Sequence, residues 1–225
     1  MVSIKNKFQV SKLNRVRLIA FFVFAISVVK AQDSTKVASA YFEGKVTYLY
    51  QILNPNNKLI SDEEFYQDIP NGGKSTVILY IRGNQYRWEY EDRVEIYLPQ
   101  TQQIAIYSKK KLDSVYYAPA SIAEEPMIKM EKLAETKRLQ HYDLTAHAVL
   151  TKWETRTYLY NPSVLKTNPN FWKNHLRNYL GNFIQKSSCF PLMIVQKSTL
   201  GNWAMAMTKI EHEKISDEVF VLPKK

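Results

Sequence analysis

Residues 76–91 read TVILYIRGNQYRWEYE. Two runs rich in β-branched and aromatic side chains flank a turn at Arg82-Gly83-Asn84-Gln85, the signature of an antiparallel hairpin. On the returning run Tyr86, Trp88 and Tyr90 alternate with Arg87, Glu89 and Glu91. Because strand side chains point to opposite faces in turn, the rings share one face and the charges the other. Such a charged face is expected to be solvated.

Working outward, the alternation recurs. Val46, Tyr48, Tyr50 and Ile52 alternate with Thr47, Leu49 and Gln51, a strand with one strongly apolar face. Further strands are predicted over 94–98, 103–108 and 114–117, separated by Pro99-Gln100-Thr101 and Lys109-Lys110-Lys111. Residues 127–139 fit strand better than helix, 144–150 and 155–160 follow, and 192–197 and 203–211 flank a turn at Gly201-Asn202. Helical signals are few. Ser61-Asp62-Glu63-Glu64 fits a capping box for a short helix to about Asp68. Asn168-Pro169 opens the main one: an Asn cap, Pro at the first helical position, then Phe171, Trp172, His175, Leu176, Tyr179, Leu180, Phe183 and Ile184 on one face. With neither repeat nor linker, residues 41–225 read as a single mainly β (α+β) domain with one main helix near Asn170–Ile184.

The 225 residues carry a net charge of +10, but the charge is unevenly placed. Residues 1–31 hold Lys5, Lys7, Lys12, Arg15, Arg17 and Lys30 and no acid, so the remainder has 25 basic against 21 acidic residues. That balance argues against nucleic acid as a partner. The same segment has the three parts of a secretory signal peptide: a basic stretch to Arg17, an apolar run over Leu18–Val29, and Val29-Lys30-Ala31 before a cleavage between Ala31 and Gln32. A membrane-spanning helix needs about 20 apolar residues, more than this run supplies. The expectation is a chain exported to the periplasm or beyond, with 1–31 removed, 32–40 a flexible leader and no transmembrane segment in the mature form.

Motifs for chemistry are scarce. The single cysteine, Cys189, precludes an internal disulfide and reads as a partly buried, inert thiol. His141 and His147 would lie about 20 Å apart on one strand, too far to share a metal. No Gly-rich phosphate loop or nucleophile elbow occurs, leaving catalytic residues, metal and cofactor without a candidate. Glu89 and Glu91 invite comparison with a glycosidase carboxylate pair, though Arg87 beside them favours a solvated charged face. The surplus is aromatic: 15 Tyr, 10 Phe and 4 Trp. Most of these rings must be core, but if helix and curved sheet close incompletely an apolar groove remains, with Tyr48, Trp88, Phe171, Trp172, Tyr179, Trp203 and Met205 as its candidate ligand-binding residues.

Several short stretches, in this order, resemble the exported GLPGLI-type proteins. They are Phe42-Glu43-Gly44-Lys45-Val46-Thr47-Tyr48, Glu135 to Tyr142, Asn161-Pro162-Ser163-Val164 after a strand, Phe190-Pro191-Leu192, and Met205 to Ile210 with Ser216 to Pro223. His141 stands where those families have Gly, and the Gly-Leu-Pro-Gly-Leu-Ile stretch itself is absent. The resemblance implies an architecture like the lipoprotein carrier LolA: an antiparallel open half-barrel sheet with the helix packed on its concave face. It implies no catalytic residues. The expected function is an exported envelope protein, not an enzyme, that binds a lipid, a lipoprotein acyl chain or another apolar molecule between sheet and helix. The alternative is a structural envelope protein with a filled core that docks a protein partner.

Overall fold

The structure is a computed structural model that describes residues 40–53, 74–199 and 201–223. The predicted signal peptide and the capping-box helix lie outside these residues. The described strands are β1 (Gly44–Leu53), β2 (Lys74–Arg82), β3 (Gln85–Glu89), β4 (Arg93–Leu98), β5 (Gln103–Ser108), β6 (Val115–Pro119), β7 (Lys129–Leu139), β8 (Tyr142–Leu150), β9 (Glu154–Tyr160), β10 (Met193–Ser198) and β11 (Asn202–His212). They form one antiparallel eleven-stranded sheet in the order β6-β5-β4-β3-β2-β1-β11-β10-β9-β8-β7. Two places break the meander. The first and last strands pair in the middle of the sheet, and β6 and β7, consecutive in sequence, form its opposite edges.

That second feature requires curvature. Ten strand spacings across a flat sheet would separate the edges by about 48 Å. Residues 120–128 must connect them, and an extended chain from Pro119 to Lys129 reaches no further than about 36 Å. The sheet therefore curls into an open half-barrel, and the connection crosses its concave side as a strap. Ala120 anchors the strap: its N–H donates to the Gln102 carbonyl (2.8 Å), and its carbonyl accepts from Leu176 N–H (2.7 Å) and Arg177 N–H (3.0 Å). At the far end Ile128 N–H donates to the Leu150 carbonyl (2.8 Å).

Strand alternation decides which side chains face the hollow. Cross-strand register aligns Tyr48 with Val77 and Met207, Leu79 with Trp88, and Tyr97 with Ile104. These belong to one buried cluster with Trp172, Phe183, Ile184 and Phe190 from the cover. The cover holds one α-helix, α1 (Leu180–Ser187), preceded by short 3-10 turns at Pro169–Phe171 and Arg177–Tyr179. The sequence predicts a continuous helix from about Asn170; the chain instead breaks it. Asn168 does cap, its side chain accepting from Asn170 N–H (3.1 Å), but the turn lasts three residues. Asn178 and Tyr179 adopt positive φ of 54° and 58°, a conformation asparagine accepts more readily than most residues. The break lets Leu176 and Arg177 bond the strap rather than their own helix. Gly181 fits where the pieces meet: an added Cβ would lie 2.1 Å from the Trp172 carbonyl oxygen and 2.5 Å from that of His175.

The convex face is not bare. The 3-10 turn Asp217–Phe220 and its flanks pack Ile215 and Phe220 over Val94, Ile96 and Tyr107. Arg82 donates to the Ile215 carbonyl (3.1 Å), pairs with Asp217 (2.6 Å) and lies 4.9 Å over the Phe220 ring. Arg87 donates to the Val219 carbonyl (2.7 Å) while paired with Glu89 (2.5 Å). This corrects the expected solvated face: Arg87 and Glu89 lie beneath the C-terminal tail, at 17% and 19% side-chain exposure.

Candidate functional site

The cover fills only part of the hollow. At one end the concave face opens into a cleft of about 760 Å³ between β1, β3, β4, β9, β10, β11 and the segment around His175–Leu180. Its floor is aromatic and aliphatic: Tyr50 and Ile52 on β1, Trp88 on β3, Tyr158 on β9, Ile194 on β10, Trp203 and Met205 on β11. These positions face inward because register aligns Tyr50 with Met205, Ile52 with Trp203 and Met205 with Ile194. Tyr50 and Trp203 touch with ring centroids 5.6 Å apart, and Trp88 stacks on Tyr90 at 6.4 Å.

Charge enters as pairs. Arg93 at the start of β4 bonds Glu95 (2.9 Å) and lies 4.0 Å over the Tyr90 ring. Arg156 on β9, only 6% exposed, pairs with Glu154 (3.1 Å), bonds Gln196 of β10 and sits 5.9 Å from the Trp203 ring. Arg177 pairs with Glu124 of the strap (3.2 Å). Burial raises the Glu154 carboxyl above its ordinary range although Arg156 opposes the shift. Burial likewise raises the Tyr90 phenol, with Glu95 adding to the shift and Arg93 opposing it.

Deeper in, Tyr86 Oη and His175 Nε2 are 2.8 Å apart. His175 is 1% exposed, its ring edge-on to Tyr97 at 4.8 Å, and burial pulls its pKa down to about 4. A neutral imidazole bonded to Tyr86 is the form this site favours. The Tyr158 hydroxyl donates to the Asn178 carbonyl, fixing the broken segment against β9.

The residues singled out from sequence divide. Trp88, Trp203 and Met205 line the cleft. Tyr48 is fully buried and donates to the Pro191 carbonyl (2.8 Å), and Trp172, also fully buried, donates its indole N–H to Thr167 Oγ1 (2.8 Å). Tyr179 is 3% exposed and bonds the Glu125 carbonyl of the strap (3.0 Å), while Phe171 is 40% exposed and outside the cleft. Sequence reading missed Tyr50, Tyr90, Arg93, Glu95, Arg156 and Arg177. For Tyr50 the inward parity shared with Tyr48 was a usable signal; for Arg156 nothing in its own strand distinguished it from a solvent-facing base.

The remaining candidates fall elsewhere. Glu91 lies on the cleft and Glu89 does not. Cys189 is fully buried, and burial pushes its thiol up to about 12. His147 packs on Tyr160 at 5.5 Å, with its pKa lowered by burial, then by Lys132 and Lys186. Among the described residues no three His, Cys, Asp or Glu side chains are placed to hold a metal ion, and no helix is long and apolar enough to cross a membrane.

No protein-family model matches the chain, and no curated protein matches it. The resemblance to GLPGLI-type proteins rests on its short motifs. Two solved structures of PNGF-II, in space groups P21 and C2, are similar to it at 12% and 11% identity and TM-scores of 0.46 and 0.45. They match 79% and 80% of this chain, which spans 29% of the length of each.

Proposed function

We propose that this chain is a binding protein, not an enzyme, that holds one small amphiphilic molecule in the cleft at the open end of the half-barrel. The carrying observation is the cleft itself: about 760 Å³, within the usual range for small-molecule pockets of about 300–1,000 Å³. Its aromatic and aliphatic floor supports the apolar contact expected from the sequence. A bare acyl chain fits the rim poorly. It would strip water from Arg93, Arg177 and Glu124 while offering them no hydrogen bond, which is costly for ionised groups. The ligand must therefore be apolar on one face and polar on another. The N-terminal pattern over residues 1–31 supports export, which would place the cleft in contact with extracytoplasmic solutes.

The test is native mass spectrometry of protein purified without detergent, together with titration of its tryptophan emission. A stoichiometric bound molecule, or saturable change in emission that Trp88→Phe/Trp203→Phe abolishes, is expected. A clean protein whose emission answers to no lipid, sugar or lipophilic dye would overturn the reading.

A further inference from the structure

Resting on that reading of the cleft, we infer that its ligand is a neutral, polyhydroxylated ring compound, a sugar unit or short oligosaccharide. Charge is the first reason. The lining holds four bases, Arg93, Lys110, Arg156 and Arg177, against four acids, Glu91, Asp92, Glu95 and Glu124. A ligand with net charge of either sign meets as much repulsion as attraction there. An anion would also meet, beside each arginine, the carboxylate already paired with it: Glu95 at Arg93 (2.9 Å), Glu154 at Arg156 (3.1 Å) and Glu124 at Arg177 (3.2 Å). A cation seeking the Tyr90 ring face would find Arg93 already over it at 4.0 Å.

Hydrogen-bond supply is the second. A guanidinium carries five N–H donors and a carboxylate about four acceptor sites, so an ion pair leaves several of each unspent, side by side. The accessible members of these pairs are Arg93 and Glu124, at 44% and 49% side-chain exposure. Each hydroxyl is both donor and acceptor, so neighbouring hydroxyls on a ring match an Arg–carboxylate pair without separating it. A charged or purely apolar ligand does not.

Shape is the third. Tyr50, Tyr90 and Trp203 are half-buried on the cleft wall. Tyr50 and Trp203, inclined by 36° at 5.6 Å, make an aromatic platform beside the Arg156 pair. A sugar ring has an apolar C–H face and a hydroxylated rim, which would occupy platform and pairs at once.

The experiment uses the purified chain on an array of immobilised neutral, sulfated and uronic-acid-containing glycans, followed by calorimetry with the best soluble oligosaccharide and, separately, with palmitate. A neutral glycan is expected to bind saturably. Trp203→Ala should weaken it about tenfold or more through loss of stacking, and Trp203→Phe should recover most of that. Arg93→Gln should also weaken binding, and its melting temperature, measured in parallel, separates loss of ligand contact from loss of fold. Binding confined to acidic glycans, or to palmitate, would overturn the inference while leaving the cleft as a binding site. Silence from every probe would remove both.

Discussion

Lowering the pH from 7 to 5 should cost this fold about 2 kcal/mol through one side chain, His175. The imidazole is 1% exposed, bonded to Tyr86, and held by burial at a pKa of about 4 against an ordinary 6.5. Above pH 6.5 it is neutral in folded and unfolded chains alike and contributes no pH dependence. Below 6.5 the unfolded chain takes up a proton that the folded chain refuses until about pH 4, so stability falls through that window. A shift of about 2.5 pH units corresponds to about 3.4 kcal/mol in full, of which about 2 kcal/mol has been lost by pH 5. Urea unfolding of the parent and of His175→Gln at both pH values isolates this effect, because His147 and the carboxylates titrate in both proteins. The glutamine variant should be less stable at pH 7, having lost ring packing, yet should lose about 2 kcal/mol less than the parent on acidification. Parallel losses in the two proteins would refute the assignment of a buried, neutral imidazole.

Gly181→Ala should destabilise by roughly 1–3 kcal/mol or more in chemical unfolding, since the added methyl meets two backbone carbonyl oxygens that no rotamer can move. Cys189 should resist thiol reagents at pH 8 in the folded chain and react once urea unfolds it, its thiol being buried and raised to about 12; fast labelling of native protein would contradict the packing. Phe220→Ala should cost about 3 kcal/mol and speed proteolysis of the C-terminal tail, because that ring joins the convex cluster and receives Arg82; unchanged protease resistance would show that the tail does not depend on it.

The strands were legible because period two survives in a single sequence. The turn Gly83-Asn84, with Gly83 at φ 57°, sits where the composition placed it. The cover was not legible. The stripe Phe171, Trp172, His175, Leu176, Tyr179 has helical spacing, yet its residues meet the hollow through a folded-over chain, and the reason lies in the strap's Ala120 carbonyl, more than fifty residues away in sequence. Asn170, Asn174 and Asn178 were the local hint, since asparagine competes with helix by bonding nearby backbone. Similarly, Arg87 and Glu89 read as a wet face because nothing in their own strand reveals that residues 215–220 lie over them. The cleft's paired charges escaped for the same reason: Arg156 meets Gln196 only when β9 pairs with β10, and Arg177 meets Glu124 only where the strap crosses the sheet.

The pairing of β1 with β11 in the middle of the sheet also sets a timetable. Gly44 lies opposite His212, so the seam between the two half-sheets joins residues from nearly opposite ends of the described chain. Strands β1 to β6 and β7 to β11 each pair in sequence order, but each half-sheet exposes an unpaired inner edge, β1 or β11, until the seam closes. Closing it carries a large loop entropy and should be the slow event in folding. Synthesis cannot finish the structure early: until the last strand is available, the half-barrel is two separate ribbons tied by the strap.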